Sequence, residues 1–319
     1  MRAAVQQRYG PPDVVEVRDV DRPAPGARQV LVRVHASTVN RTDCGFRAAS
    51  PPIVRPFSGL VRPKAKILGN EFAGVVEQAG RDVTRFAVGD RLFGYLEGPF
   101  GGHAEHLVAS EQSSIARIPE GVSFEQAAAA TEGAHYALAY LRAGRVGPGT
   151  DLMVYGATGG IGSAAVQLSR HLGAAVVGVC ATDHLELVRR LGATRAIDRT
   201  TEDFTRDATR YDVVFDAVGR STFGACKRLL KPTGLYLSTE LGPKAQNPFL
   251  AIATRFSRGR RVGFPLPTHD QAMIEHLGEL MATGAYTPLI DRSYPLAEIV
   301  AAYEYVESGR KIGNVVLTP

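Results

Sequence analysis

Cysteine is scarce in this 319-residue chain: Cys44, Cys180 and Cys226 are the only three. Odd in number and far apart, they exclude a disulfide framework and a cysteine-rich zinc loop, and they fit a reducing compartment. No apolar stretch reaches membrane-spanning length, and Met1 leads straight into a strand-like run instead of a charged and apolar leader. A cytoplasmic protein without membrane insertion is therefore expected. Solenoid-type repeats and low-complexity tracts are missing too, which excludes a repeat array. The 37 basic residues are spread along the chain with no block of like charge, so nothing points to nucleic acid. The net charge of +5 does suit an anionic, multiply phosphorylated ligand. With 45% hydrophobic and 22% charged residues, the composition is that of a globular protein long enough for two domains.

The most informative stretch is Asp151 to Arg170. An apolar run, Leu152 to Tyr155, crosses Gly156, Gly159, Gly160 and Gly162 into a helical pattern with Ile161, Ala165, Leu168 and Leu172 on one face. Strand, glycine turn and helix together are the context of a dinucleotide fingerprint, here spaced Gly-x-x-Gly-x-x-Gly. Glycines allow a tight turn and a close approach of backbone to diphosphate, and the helix N-terminus offers N–H groups to its charge. The competing reading is an ordinary glycine-rich βα turn.

Residues 1–120 read as short Val-rich strands cut by Gly and Pro, the pattern of a barrel-like β domain. The segment Ser50–Lys66 breaks the rhythm with four prolines and the cations Arg55, Arg62, Lys64 and Lys66. It reads as a surface loop or as a lid over a substrate pocket. Ser123 and Gln126 form a capping-box pattern for a helix running to about Ala143, which bridges to the glycine turn. From Asp151 to Phe264 strands and helices alternate, implying a parallel, doubly wound sheet. A last strand, Asn314–Leu317, is expected to return to the first domain because the sheet is complete without it.

Five motifs then carry a family resemblance: Val39-Asn40-Arg41-Thr42-Asp43, Leu68 to Val76, Val88 to Gly94, the glycine turn, and Phe215-Asp216-Ala217-Val218-Gly219. Over nearly its whole length the chain resembles the medium-chain dehydrogenase/reductases, specifically their zinc-independent quinone oxidoreductase branch. The resemblance implies an α/β fold: a Rossmann doubly wound parallel sheet over 123–265 plus a β-rich GroES-like barrel domain over 1–122 and 266–319. It also implies a homodimer pairing Rossmann sheets edge to edge. The Cys and His zinc ligands of zinc-using relatives correspond to Asn40 and Asn70, and the third ligand falls near Glu132. Amides are poor zinc ligands, so no metal is expected. The alternative is a site rebuilt from Asp43, Glu71, Glu132 and His135, while Glu71 by itself reads as a structural salt bridge.

Without metal, charge on a reduced acceptor oxygen has to be met by aimed donors. The resemblance makes Asn40, Asp43, Asn70, Thr131, His135 and Tyr136 the candidate catalytic residues. On a bridge helix Thr131 would share a face with His135, and Glu132 with Tyr136. Thr131 would then hold the nicotinamide, Tyr136 would donate to the substrate oxygen, and His135 is the candidate proton donor. His103 reads as structural. For the cofactor the resemblance assigns Gly156, Ala157, Thr158, Gly159, Gly160, Ile161 and Gly162 to the diphosphate, and Cys180 and Thr182 to the ribose. It sets Ala217, Val218, Gly219, Phe264, Pro265 and Leu266 beside the nicotinamide and makes Asn314 a further contact. The second strand ends on Cys180 where NAD-type sites carry a carboxylate, which favours NADP(H) over NAD(H). Asp183 argues the other way, with Arg189, Arg190 or Arg199 as compensating cations. The expected activity is reduction of a small-molecule quinone or enone. The alternatives are a 2-enoyl thioester reductase and a low-turnover NADPH-binding sensor.

Overall fold

The Val-rich runs near the N-terminus form the first part of one unit. They are β1 (Arg2–Gln6), β2 (Val15–Asp19), β3 (Gln29–Val39), α1 (Arg41–Ala48), α2 (Arg55–Ser58), β4 (Glu71–Ala79), β5 (Arg91–Tyr95), β6 (His106–Ser110), β7 (Ser114–Arg117) and α3 (Phe124–Ala128). In this computed structural model the chain is described from Met1 to Pro319, the side chain of Ile53 excepted. β1 and β2 form a separate antiparallel ribbon. β3 is the spine of the larger sheet, pairing with β4 on one edge and with β6 on the other. Shifts of register at Leu31/Val32 and Val34/Ala36 bend it, as bulges do.

The expected single helix over 123–143 is two. Ser123 and Gln126 do form the capping box, but α3 stops at Ala128, and α4 (Glu132–Ala143) begins after three intervening residues. The break has a tertiary cause: the Thr131 hydroxyl and the Glu132 N–H both turn to the Glu71 carboxylate, each at 2.6 Å. α4 leads into the second unit.

That unit, Gly133–Thr268, holds β8 (Asp151–Tyr155), α5 (Gly160–His171), β9 (Ala175–Cys180), α6 (Leu185–Leu191), β10 (Arg195–Asp198), β11 (Tyr211–Asp216), α7 (Phe223–Cys226), β12 (Leu230–Ser238), α8 (Gln246–Thr254) and β13 (Arg261–Gly263). The strands are all parallel in the order β10-β9-β8-β11-β12-β13. β8 is the switch point: the chain winds outward from it to β9 on one side and later to β11 on the other. Leu152, Met153 and Val154 are fully buried, as a strand covered on both faces requires. Each such side chain contributes about 2 kcal/mol of burial.

The chain then returns to the first unit with α9 (Gln271–Ala282), β14 (Ile290–Pro295), α10 (Ile299–Glu307) and β15 (Asn314–Thr318). β15 runs antiparallel to β3, with Val315 opposite Val39. The first unit is therefore Met1–Glu132 with His269–Pro319, against expected limits of 122 and 266. The ten-residue difference arises because α3 packs on β3, β4 and β5. No helix among the described residues is long and apolar enough to cross a membrane.

Candidate active site

In the second unit two turns leave neighbouring strands together. Tyr155 at the end of β8 lies opposite Asp216 at the end of β11, and Ala217 N donates to Tyr155 O at 3.0 Å. Gly156 has φ +81°, and a Cβ there would sit 2.6 Å from Val218 Cγ1. A Cβ on Gly162 would lie 2.0 Å from the Gly156 carbonyl oxygen, so only glycine allows α5 to pack this close to the turn. No side chain caps α5, whose N-cap is Gly159. Its leading N–H groups therefore suit an anion, and these residues fit a dinucleotide diphosphate. Asp216 organises the facing turn. Its carboxylate accepts from the N–H of Val218 (3.1 Å), Gly219 (2.8 Å) and Ser221 (2.8 Å), and from the Tyr236 hydroxyl. The bond to Ser221 holds that residue outside α7, which begins at Phe223 behind the Thr222 cap. Phe264, Pro265 and Leu266 follow β13 directly, and Leu266 is exposed.

At the end of β9, Cys180 is buried, and burial pushes its thiol up to about 11. Asp198 also raises it, while Arg199 and Arg189 oppose. Thr182 donates to Asp198 at 2.6 Å, and this bond with that from Thr200 holds the Asp198 carboxyl down to about 2. Asp183 is exposed in a short turn.

In the first unit, the ends of β3 and β4 and the break after α3 bring a polar cluster together. Glu71 is fully buried and, among the described residues, has no ion-pair partner, so the salt-bridge reading of it is corrected. It accepts four hydrogen bonds: from the hydroxyls of Thr38 and Thr131, from Glu132 N, and from Asn40 Nδ2 at 3.3 Å. Such bonds take the place of a counter-ion for a buried carboxylate. Asn40 caps α1. Its Oδ1 accepts from Asp43 N, and its Nδ2 donates to Asn70 Oδ1 at 2.6 Å as well as to Glu71. Asn70 Nδ2 in turn donates to Glu132 Oε2 at 3.3 Å. Thr42 Oγ1 donates to Glu132 Oε1 at 2.8 Å. Burial, with the charges of Glu71 and Asp43, raises the Glu132 pKa well above the usual carboxyl range and so favours its neutral acid. Asn70, Glu71, Asp43 and Thr131 are sealed; Thr42 is the half-exposed member, so the cluster opens to solvent there. Asp43 accepts from Asn40 N and Gly69 N, and burial pushes it up to about 8.

His103 sits beneath this cluster. Nε2 lies 2.8 Å from Thr38 O, which can only accept, so Nε2 carries the hydrogen and Nδ1 receives the Tyr303 hydroxyl at 3.4 Å. Burial lowers its pKa from 6.5 to about 4. Between those values the unfolded chain takes a proton that the folded one refuses, so stability falls as pH drops from 6.5 to 4 and is unaffected by this group above that window. The loss amounts to about 3 kcal/mol. In thermal unfolding between pH 7 and 4, His103→Gln, which keeps a donor for Thr38 O, should gain about 3 kcal/mol relative to the native protein on acidification, whatever the raised carboxyls of Asp43 and Glu132 add to both; a constant difference between the two proteins would clear His103 of the effect.

The structure thus brings Asn40, Asp43, Asn70 and Thr131 into one network. Thr131 precedes α4 and bonds Glu71, while His135 lies on α4, buried with its ring edge-on to Tyr136. Asn314 starts β15 and its amide donates to Leu289 O at 3.1 Å. Sequence reasoning missed the roles of Thr42, Glu132 and Asp216, although each lies inside or beside a motif it quoted. It also passed over Lys311, a half-buried cation bonded to Gly313 O at 2.6 Å whose pKa burial lowers, against the charges of Glu132 and Glu71.

A glycine turn at the switch point of a parallel sheet, in one chain with a GroES-like unit, defines a nicotinamide-dependent oxidoreductase. Among the described residues no group of three or more His, Cys, Asp or Glu is arranged to hold a metal, and the Asn40 and Asn70 amides are taken up by each other, Asp43, Glu71 and Glu132. Residues 26–120 match the alcohol dehydrogenase GroES-like domain family, and residues 191–317 the zinc-binding dehydrogenase family. The chain is 32% identical to a quinone oxidoreductase of Pseudomonas aeruginosa, over 98% of this chain and 97% of that one. It is 29% identical to the chloroplastic NADPH-dependent alkenal/one oxidoreductase of Arabidopsis thaliana, over 100% of this chain and 80% of the relative. The solved quinone oxidoreductase of Coxiella burnetii superposes with a TM-score of 0.87 at 27% identity, covering 100% of this chain and 99% of that one. The chain belongs to the medium-chain dehydrogenase/reductases, in their zinc-independent quinone oxidoreductase branch. It is accordingly an NAD(P)H-dependent oxidoreductase of the quinone- and enone-reducing kind.

Proposed function

We propose that the chain reduces a small-molecule quinone or enone with NADPH, polarising and protonating the acceptor oxygen at Thr42 and Glu132. The observation that carries this reading is the hydrogen bond from Thr42 Oγ1 to Glu132 Oε1 at the solvent-facing end of an otherwise sealed network. When bound, the nicotinamide supplies the hydride. Glu132, whose neutral form burial favours, carries the accompanying proton; in that form its O–H donates to Thr42 Oγ1, which frees the Thr42 hydrogen for the acceptor oxygen and leaves Glu132 a carboxylate once the proton has moved. Asn40 is saturated by Asn70, Glu71 and Asp43 N, so it acts as a positioning residue for the network, as does Asn70. For the cofactor, Cys180 in place of a carboxylate favours a 2′-phosphate. Thr182 is committed to Asp198, which leaves Arg189 and Arg199 as the cations for it. The relative named for NADPH supports the same preference. Homodimer formation through the open edge at β13 and a further cofactor contact at Asn314 belong to the same reading.

Oxidation of NADPH and NADH against 1,4-benzoquinone, 9,10-phenanthrenequinone, an enone, an aldehyde and crotonyl-CoA tests it. Turnover with quinone or enone is expected, NADPH having the higher kcat/KM, and Thr42→Val should lower kcat by roughly 100-fold with cofactor binding intact. Turnover of the thioester alone, better use of NADH, or an unaffected Thr42→Val would each overturn the corresponding part.

A further inference from the structure

The loop between α1 and β4 has a composition that the reduction chemistry does not use. From Cys44 to Asn70 there is no acidic residue. Arg55, Arg62, Lys64 and Lys66 are all exposed, and among the described residues none of them has an ion-pair partner; Arg47 in the same stretch is buried against Glu307. Within five positions the loop also exposes Phe57, Leu60 and Val61, at 74%, 70% and 83%.

These apolar side chains do not face outward through slack. The Tyr9 hydroxyl lies 2.9 Å from Ser58 Oγ and donates to Gly59 O at 2.7 Å. Lys64 N donates to Ser58 O, and Gln6 N to Lys66 O, both at 2.8 Å. Gly59 has φ +123°, and a Cβ there would lie 2.1 Å from Arg62 O, so the turn between Phe57 and Leu60 needs glycine. Arg55 lies over the Tyr9 ring and donates to Leu60 O. The fold thus stitches the loop at its base and leaves its apolar tip in water.

Single exposed apolar residues are ordinary; three adjacent ones on a pinned loop, surrounded by unpaired cations, have the make-up of an interfacial anchor. We propose that this loop docks the protein on the surface of an anionic lipid bilayer. Phe57, Leu60 and Val61 enter the boundary between headgroups and acyl chains, and Arg62, Lys64 and Lys66 meet the lipid phosphates. Charge complementarity selects the anionic surface. The apolar tip selects a bilayer over a nucleic acid, which would leave Leu60 and Val61 without a partner. Docking itself is independent of the acceptor. Its benefit rests on the quinone reading, since a lipophilic quinone concentrates in the membrane.

Co-sedimentation with vesicles tests the proposal, comparing phosphatidylcholine alone with phosphatidylcholine mixed with phosphatidylglycerol. At low salt the native protein should pellet with the anionic vesicles and not with the neutral ones. Phe57→Ser/Leu60→Ser and Arg62→Glu/Lys64→Glu should each reduce the pelleted fraction by roughly tenfold. Phe249→Ser/Phe256→Ser, which alters the exposed apolar face at α8, should pellet like the native protein. All variants should oxidise NADPH with water-soluble benzoquinone at the native rate, which separates loss of docking from loss of the enzyme. A native protein that stays in the supernatant overturns the proposal. So do loop variants that still pellet, and so does loss of binding on changing α8 alone. A raised KM for soluble quinone in the loop variants, with sedimentation unchanged, would make the loop a substrate lid instead. Vesicle binding without turnover of any acceptor would sink the catalytic reading and leave this one standing.

Discussion

Gly162→Ala is expected to weaken NADPH binding by about two orders of magnitude and to destabilise the protein before any cofactor is added. The added methyl would sit 2.0 Å from the Gly156 carbonyl oxygen and 2.8 Å from its carbon, both backbone atoms. Neither can step aside as a flexible side chain would. Either α5 lifts from β8 or the turn opens, and both outcomes displace the N–H groups that the diphosphate needs. Overpacking of this kind costs about 1–3 kcal/mol in the folded protein, and the misplaced donors cost binding on top. Gly159→Ala is the informative comparison. Its Cβ would meet nothing closer than 3.6 Å, so the unliganded protein should melt as the native one does. Binding should still fall, because the middle glycine of the motif is where backbone and diphosphate approach. Fluorescence titration with NADPH alongside thermal melts reads both quantities. Native melting together with native affinity in Gly162→Ala would show that this turn is not the dinucleotide site.

The second large effect is expected at Glu71. Four donors and no acceptor face its carboxylate. Glu71→Gln keeps the shape but supplies one acceptor oxygen and two N–H donors, so at least two of the four groups lose their partner inside a sealed cluster. Each buried, unsatisfied group costs about 1–3 kcal/mol. A drop of roughly 10 °C in the melting of the first unit follows from that range. Thr131→Val, which removes one donor only, should cost about 1 kcal/mol. Turnover should suffer more than NADPH binding in Glu71→Gln, because Glu71 fixes Asn40 and the Glu132 backbone, not the glycine turn. A Gln variant that melts within a degree or so of the native protein would mean that the site tolerates an amide, and that the four donors are satisfied some other way.

How legible these features were depended on the range of the forces behind them. The glycine turn could be read because its cause is local: a strand, a turn that only glycine can make and a helix follow one another within twenty residues. The strand-helix alternation of the second unit and the return of Asn314–Leu317 to the first unit were legible for a similar reason, since buried strands and their separators mark themselves by composition; that β3 pairs with that last strand was not. The polar network was not. Glu71 draws donors from positions 38, 40, 131 and 132, and nothing in the spacing of Thr131 announces that its hydroxyl will leave a helix for an acceptor 60 residues away. The expected bridge helix broke there for that reason. Asn40 lies in the network, but sequence could not reveal that its amide would be saturated. That saturation shifts the proposed donor role to Thr42 and Glu132.

Sequence alone determined the two kinds of domain and the turn that suits a dinucleotide. Those depend on backbone freedom and on hydrophobic periodicity, both written in neighbouring residues. Tertiary structure decided which polar groups are spent and which still face solvent. A hydrogen bond is a contest among all the donors that the fold brings within about 3 Å of one acceptor, and that census is taken only after the chain has closed on itself.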